Sequence, residues 1–123
     1  MGKLTTHILD TSAGKPAANV RVELFEIIDA EGGAPARGQR LAAAVTNADG
    51  RCAAPLLEGD IFRPGQYELA FAIGDYFAQS GVAQPEPKFI DIVVIRFGVA
   101  NAGAHYHVPL LVSPYGYSTY RGS

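Results

Sequence analysis

Short stretches in which apolar and polar residues alternate recur along the chain, and residues that favour turns separate them. The clearest stretch is Val20–Ile28, where Val20, Val22 and Leu24 alternate with charged residues. Because successive side chains of a β-strand point to opposite faces, this pattern predicts a strand with one buried face. The same reasoning predicts eight strands, over residues 4–9, 20–28, 41–46, 51–57, 65–73, 89–97, 104–112 and 115–120.

One further segment, residues 74–81, predicts a short helix, with Asp75 near its start and Gly81 at its end. Residues 30–38 contain paired glycines and a proline, which predict a polar loop. Short strands separated by turns, with one helix, are typical of an antiparallel β-sandwich. We therefore expect an all-β fold that forms a single domain over residues 1–123, without an internal repeat.

Composition narrows the classes of partner and compartment. Hydrophobic residues make up 48% of the 123 residues and the net charge is −2, so there is no reason to expect a nucleic acid or a membrane as partner. The single cysteine, Cys52, excludes an internal disulfide. The first residues lack the apolar stretch of a signal peptide, and the longest apolar runs are far shorter than a membrane span. These features predict a cytoplasmic protein.

The first predicted strand has two partly apolar faces. Leu4, Thr6 and Ile8 form one face, and a histidine, His7, lies on the other between Thr5 and Leu9. A strand of this kind is expected to have the core on one side and a second buried environment on the other.

The C-terminal segment, residues 105–123, is aromatic and almost uncharged, which is unusual for a chain end. Its alternation predicts that Tyr106, Val108 and Leu110 face the core and that the histidines face away from it. If the first and last strands share a sheet, one non-core face carries His7, His107, Ser118 and Tyr120. Imidazoles and hydroxyls beside apolar side chains are typical of the floor of a pocket.

Several kinds of site remain open on these residues alone. His105, His107 and His7 could form an open zinc site, although no acidic residue lies near them on the same face. The Gly-x-Ser-x-Gly turn of serine hydrolases and glycine-rich phosphate loops are missing from the sequence. The pattern favours either ligand binding or hydrolysis without a cofactor, and it indicates no particular substrate.

Five segments of the chain, residues 4–10, 14–24, 46–51, 105–111 and 113–123, match one known family in the same order. The last of them ends in Tyr-Arg-Gly-Ser, and together the segments extend from Leu4 to Ser123. They resemble the 5-hydroxyisourate hydrolase branch of the transthyretin-like family. The C-terminal Tyr-Arg-Gly-Ser is the most specific of them, since it separates the hydrolases from the hormone-carrying transthyretins.

The resemblance implies a sandwich of two four-stranded sheets, with predicted strands one, four, seven and eight in one sheet. It also implies a homotetramer whose active sites lie between subunits. The implied reaction is hydrolysis of 5-hydroxyisourate to 2-oxo-4-hydroxy-4-carboxy-5-ureidoimidazoline in urate degradation, without a metal or organic cofactor. The implied catalytic residues are His7, Arg51 and His107, and the implied substrate-binding residues are Ser118, Tyr120, Arg121, Gly122 and Ser123.

In this interpretation His7 and His107 orient water and transfer its proton, Arg51 binds substrate oxygens, and the tail closes the pocket. The choice of histidine for the proton stays open at this stage. The alternative is a transthyretin-like carrier that binds a small aromatic ligand without chemistry. A third hypothesis is a monomeric interaction module in which the His-x-His pattern has no role.

Overall fold

The protein is described here by a computed structural model, which covers residues 1–29 and 31–123. Two β-sheets face each other, and one short α-helix, α1, follows an inner strand of the second sheet. The elements are β1 (Lys3–Asp10), β2 (Lys15–Pro16), β3 (Arg21–Ile28), β4 (Ala36–Val45), β5 (Leu57–Glu58), a single 3₁₀ turn (Gly59–Ile61), β6 (Gly65–Ala72), α1 (Ile73–Gln79), β7 (Ile92–Val99), β8 (His105–Ser113) and β9 (Gly116–Thr119).

The strand order confirms the predicted all-β sandwich. One sheet has the order β2-β1-β8-β9, with β5 also paired to β1, and the other has the order β4-β3-β6-β7. Among the described residues, every strand pair is antiparallel except β1 with β8, which run parallel. The sequence analysis expected antiparallel strands throughout, so this one pair differs from the expectation. The first sheet has five strands instead of four, because β2 and β5 pair with opposite ends of the same edge of β1.

The predicted strand over residues 51–57 is wrong for most of its length. Arg51 forms only an isolated bridge with His7, and regular pairing resumes at Leu57. Pro55 lies in the intervening irregular segment, and a proline has no N–H to offer a neighbouring strand. Residues 51–57 therefore pair with β1 only near their two ends, and the residues between form no regular strand pairing.

Two other bounds differ from prediction by three residues or more. β4 begins at Ala36, inside the predicted loop. The prediction missed these residues because most of them are exposed, so they lack the alternation that would indicate a strand. The first residue of that loop, Ala30, lies outside the described residues. β7 begins at Ile92, three residues later than predicted.

The predicted core faces of β1 and β8 are confirmed. Leu4, Ile8 and Leu110 are fully buried, and Tyr106 and Val108 are nearly so. Thr6 shares this inner face, and its hydroxyl donates a hydrogen bond to the carbonyl of Val108 at 2.7 Å. This bond satisfies a polar side chain of β1 that points into the core. The intervening residues of both strands consequently face outward.

Two buried carboxylates join neighbouring elements of the fold. Asp10 accepts hydrogen bonds from Ser12 and from the Tyr76 hydroxyl, and Glu68 pairs with Arg37 and Arg96. Burial alone would raise the pKa of each carboxyl, but the donors around it outweigh burial and lower the pKa below its ordinary value. Both groups therefore stabilise the fold in their ionised form.

We expect the free energy of unfolding to decrease in acid. Because each carboxyl has a lower pKa when folded, its contribution is complete above the unfolded values of 3.8 and 4.5 and is lost as the pH falls through the lower folded values. Asp10→Asn should decrease the free energy of unfolding by about 1–3 kcal/mol at neutral pH and flatten its decline in acid. Urea unfolding at several pH values tests this, with Glu58→Gln, an exposed carboxylate, as the control.

Candidate active site

The parallel pairing of β1 with β8 brings the histidines of both strands to one outward face. Thr5 pairs with His107, His7 pairs with Pro109, and Lys3 pairs with His105. Because alternate residues share a face, all of these side chains point away from the core. The face that the sequence analysis predicted for His7 and His107 is therefore present.

Arg51 reaches the same face through a tight turn over residues 47–50. Gly50 has φ 73°, and a Cβ at this position would lie 2.4 Å from the carbonyl oxygen of Ile8. Only glycine allows this approach, in which the Ile8 N–H donates to the Gly50 carbonyl at 2.9 Å. The turn is thus packed directly on β1, and Arg51 follows it beside His7.

His7 is also held by this turn. Its Nε2 lies 2.9 Å from the carbonyl oxygen of Asp49, and since a carbonyl can only accept, Nε2 carries the hydrogen and donates it. In the neutral ring the hydrogen-free nitrogen is then Nδ1. His7 is half-buried beneath the turn.

A cavity of about 400 Å³ opens beside these residues. It brings together Arg51, His107 and Ser123 of the predicted site, and the outward residues Lys3 and His105 contribute to it as well. His7, Ser118, Tyr120 and Arg121 do not line it. The full lining consists of Lys3, Thr5, Thr6, Arg51, Cys52, Ala53, Ala54, Pro55, His105, His107 and Ser123.

Thr5 connects the two histidines of β8. Its Oγ1 lies 2.7 Å from Nε2 of His105 and 2.8 Å from Nδ1 of His107. Alternation along β1 predicts the outward face for Thr5 correctly but indicates no role for it. The contact depends on the register between segments about a hundred residues apart, which local alternation cannot predict.

The surroundings of His107 keep its ring neutral. Burial lowers the pKa of His107 below its ordinary value of 6.5, and the positive charge of Arg51 and the neighbouring His105 and His7 lower it further. A neutral imidazole at physiological pH can accept a proton, which is what a general base must do.

The C-terminal tail packs against His107. The Gly122 N–H donates to the His107 carbonyl at 2.7 Å, and a Cβ on Gly122 would lie only 2.7 Å from Cδ2 of the His107 ring. The tail therefore needs glycine here in order to lie flat against the ring. Ser123, the next residue, lines the cavity.

Three predicted tail and hairpin residues lie elsewhere. The guanidinium carbon of Arg121 lies 3.9 Å from the centroid of the Tyr106 ring, and Tyr120 is 60% exposed. Both residues line a separate, largely apolar pocket of about 250 Å³. Ser118 pairs with Leu111 on β8 and is exposed on the outer face.

Within residues 1–29 and 31–123, no three His, Cys, Asp or Glu side chains are arranged to hold a metal ion. In the same ranges, no helix has the length and apolar character needed to cross a bilayer.

The two facing sheets, the short helix after β6 and the outward histidines define a transthyretin-like β-sandwich. The chain belongs to the HIUase/Transthyretin family, whose model matches residues 4–122. It is 56% identical to the 5-hydroxyisourate hydrolase of Ralstonia nicotianae over 123 residues, which is the full length of both proteins.

Solved structures agree with this assignment. The chain superposes on Klebsiella pneumoniae 5-hydroxyisourate hydrolase with a TM-score of 0.80 and 36% identity over the whole of both chains. It superposes on (S)-allantoin synthase with a TM-score of 0.89 and 45% identity, where it spans 44% of that longer chain. Sea bream transthyretin in complex with thyroxine gives a TM-score of 0.81 at 27% identity, with 98% of this chain and 94% of that chain covered.

We expect Gly122→Ala to impair the site without unfolding the protein. The new methyl group must displace either the tail or the His107 ring, and a misplacement of this size should lower kcat/KM about 10- to 100-fold. The assay uses 5-hydroxyisourate, which the relatives' names indicate as substrate. The matched control is Gly116→Ala, where the Cβ would make an ordinary 3.7 Å contact with Ser113. Equal activity in both variants would contradict the role of the tail.

Proposed function

We propose that this protein catalyses the hydrolysis of 5-hydroxyisourate to 2-oxo-4-hydroxy-4-carboxy-5-ureidoimidazoline in urate degradation. The observation that carries the proposal is the cavity that combines a neutral imidazole, His107, with the guanidinium of Arg51. The names of full-length relatives support the choice of substrate. We also propose that residues 1–123 act as one domain.

Hydrolysis of a ring amide needs a base for water and a cation for the developing oxyanion. In the proposed mechanism His107 removes a proton from water as the oxygen attacks the lactam carbonyl, and Arg51 donates hydrogen bonds to the oxyanion. The C–N bond of the ring then breaks, and the departing nitrogen takes the proton back from His107. This sequence consumes one water and needs no metal or organic cofactor.

Between the two candidate bases, the geometry favours His107. It lines the cavity, and its lowered pKa keeps the ring ready to accept a proton. His7 does not line the cavity, and its Nε2–H already donates to the carbonyl of Asp49. We therefore assign His7 to the support of the turn that carries Arg51.

We further propose that the protein works as a homotetramer. The outward face of β1 and β8 carries Leu9 and Leu111 beside the histidines, and Tyr117 is 50% exposed on β9. A partly apolar face next to a catalytic cavity is typical of a surface covered by a second copy of the chain. In that assembly Ser118, Tyr120 and Arg121 would contribute to binding from positions outside the cavity of one subunit. The cytoplasmic location stays a prediction.

The carrier alternative rests on the likeness to a thyroxine-bound transthyretin. A carrier that binds an aromatic hormone has no need for a proton acceptor beside a cation. An assay for chemistry therefore separates the two functions.

The wild-type protein should accelerate the decay of 5-hydroxyisourate generated from urate in the cuvette, followed by ultraviolet absorbance. His107→Ala should lower the rate about 10²- to 10⁴-fold, the usual contribution of a general base, and should leave the oligomer intact. Gln39→Ala, an exposed change on the opposite sheet, serves as the control. Unaccelerated decay with the wild type would refute the enzymatic function and favour the carrier.

Removal of residues 120–123 should lower activity far more than stability. The side chains of Tyr120 and Arg121 are exposed, so the free energy of unfolding should change by no more than about 1 kcal/mol, whereas the support of His107 is lost. Kinetics and urea unfolding measure the two effects.

Light scattering on the wild type should give the mass of four chains, and a monomer that retained full activity would contradict the proposed assembly.

A further inference from the structure

The hydroxyl of Thr5 is shared by two imidazole rings, and this arrangement constrains both rings. Oγ1 lies within hydrogen-bond distance of Nε2 of His105 and Nδ1 of His107 at the same time. The parallel register produces the contact, because Thr5 is paired with His107 and lies beside the position of His105, two residues earlier on β8.

A hydroxyl has one hydrogen to donate and two lone pairs that accept. Thr5 can therefore donate to only one of the two rings, and at least one ring must donate its own N–H to Oγ1. The position of the hydrogen on His105 and its position on His107 are consequently linked through a single atom.

We propose that Thr5 is a positioning residue that accepts the Nδ1–H of His107 and donates its own hydrogen to Nε2 of His105, which leaves Nε2 of His107 free to take a proton from water. This inference rests on the proposed hydrolysis and names the residue that orients its base. The hydroxyl itself does not touch the reacting atoms.

The contacts around His107 favour this direction over its reverse. Nδ1 is engaged by Thr5 and Cδ2 lies against Gly122, so Nε2 is the nitrogen left for the cavity. Arg51 also lines the cavity, and a positive charge there favours a lone pair over an N–H that faces it.

Protonation of the base gives a second reason. When Nε2 accepts a proton, both nitrogens of His107 carry hydrogens, and Nδ1–H can continue to donate to Thr5 without any rearrangement. In the reverse arrangement Nε2 would already hold a hydrogen, and the ring could accept a proton only at Nδ1, away from the water. The proposed direction is therefore the one that keeps the site preorganised through the step.

The test compares Thr5→Val, which preserves the shape and removes the hydroxyl, with Thr5→Ser, which retains it. Nitrogen-15 NMR of histidine-labelled protein reports the tautomer of His107, and steady-state kinetics with 5-hydroxyisourate report kcat and KM. In the wild type and in Thr5→Ser we expect hydrogen on Nδ1 of His107. In Thr5→Val we expect mixed tautomers and a decrease in kcat of about 10- to 100-fold, with KM nearly unchanged.

The acid limb of the pH–rate profile should also move to lower pH in Thr5→Val, because the protonated ring loses an acceptor. The same profile in Thr5→Ser should match the wild type. The other charged or titratable groups around His107 are retained by both variants; they are Lys3, His7, Arg51, Cys52, His105, Arg121 and the C-terminal carboxylate of Ser123.

Hydrogen on Nε2 of His107 in the wild type would overturn the proposal, and so would wild-type kcat and tautomer in Thr5→Val. The tautomer is read without substrate, so this result is distinct from a failure of the proposed hydrolysis. If Thr5→Val does not fold, His105→Ala provides the second variant. It removes the acceptor of the Thr5 hydrogen, so some of the His107 population should shift to Nε2–H, and an unchanged tautomer there would likewise overturn the proposal.

Discussion

The parallel pairing of β1 with β8 is the constraint on which the candidate site depends. It joins the first ten residues to the last twenty, and its inner face is closed by fully buried side chains such as Leu4, Ile8 and Leu110. A slip of one residue would turn every side chain of a strand to the opposite face, so the apolar core opposes any change of register. The contact between Thr5 and His107 is thus determined by packing on the other side of the sheet.

Two glycines complete the site by letting the backbone come close. Gly50 lets the turn before Arg51 pack on the Ile8 carbonyl, and Gly122 lets the tail lie against the ring of His107. In both places the space that a side chain would fill is already occupied by an atom of β1 or β8. Segments distant in the chain therefore meet through backbone contacts, which are less variable than contacts between long side chains.

Alternation predicted the core faces well because a strand repeats every two residues, and this placed His7 and His107 on one outward face. It could not predict β5 or the isolated bridge at Arg51, since two residues are too few to show a period. It missed Thr5 for a different reason, because a threonine on a strand is unremarkable until the neighbouring strand is known. Tyr120 and Arg121 line a separate pocket, since Arg121 stacks on Tyr106 instead of reaching the cavity.

The packing that orients His107 also sets its charge. Thr5 and Gly122 enclose the ring on two sides, and the same enclosure removes water from it, which lowers its pKa. His105, two residues away on the same strand, is exposed, and its ring meets Thr5 from the solvent side. Two histidines of one strand therefore differ in environment because of the tail and the hydroxyl between them. Orientation and neutrality, the two properties that a general base needs, follow at His107 from one set of contacts.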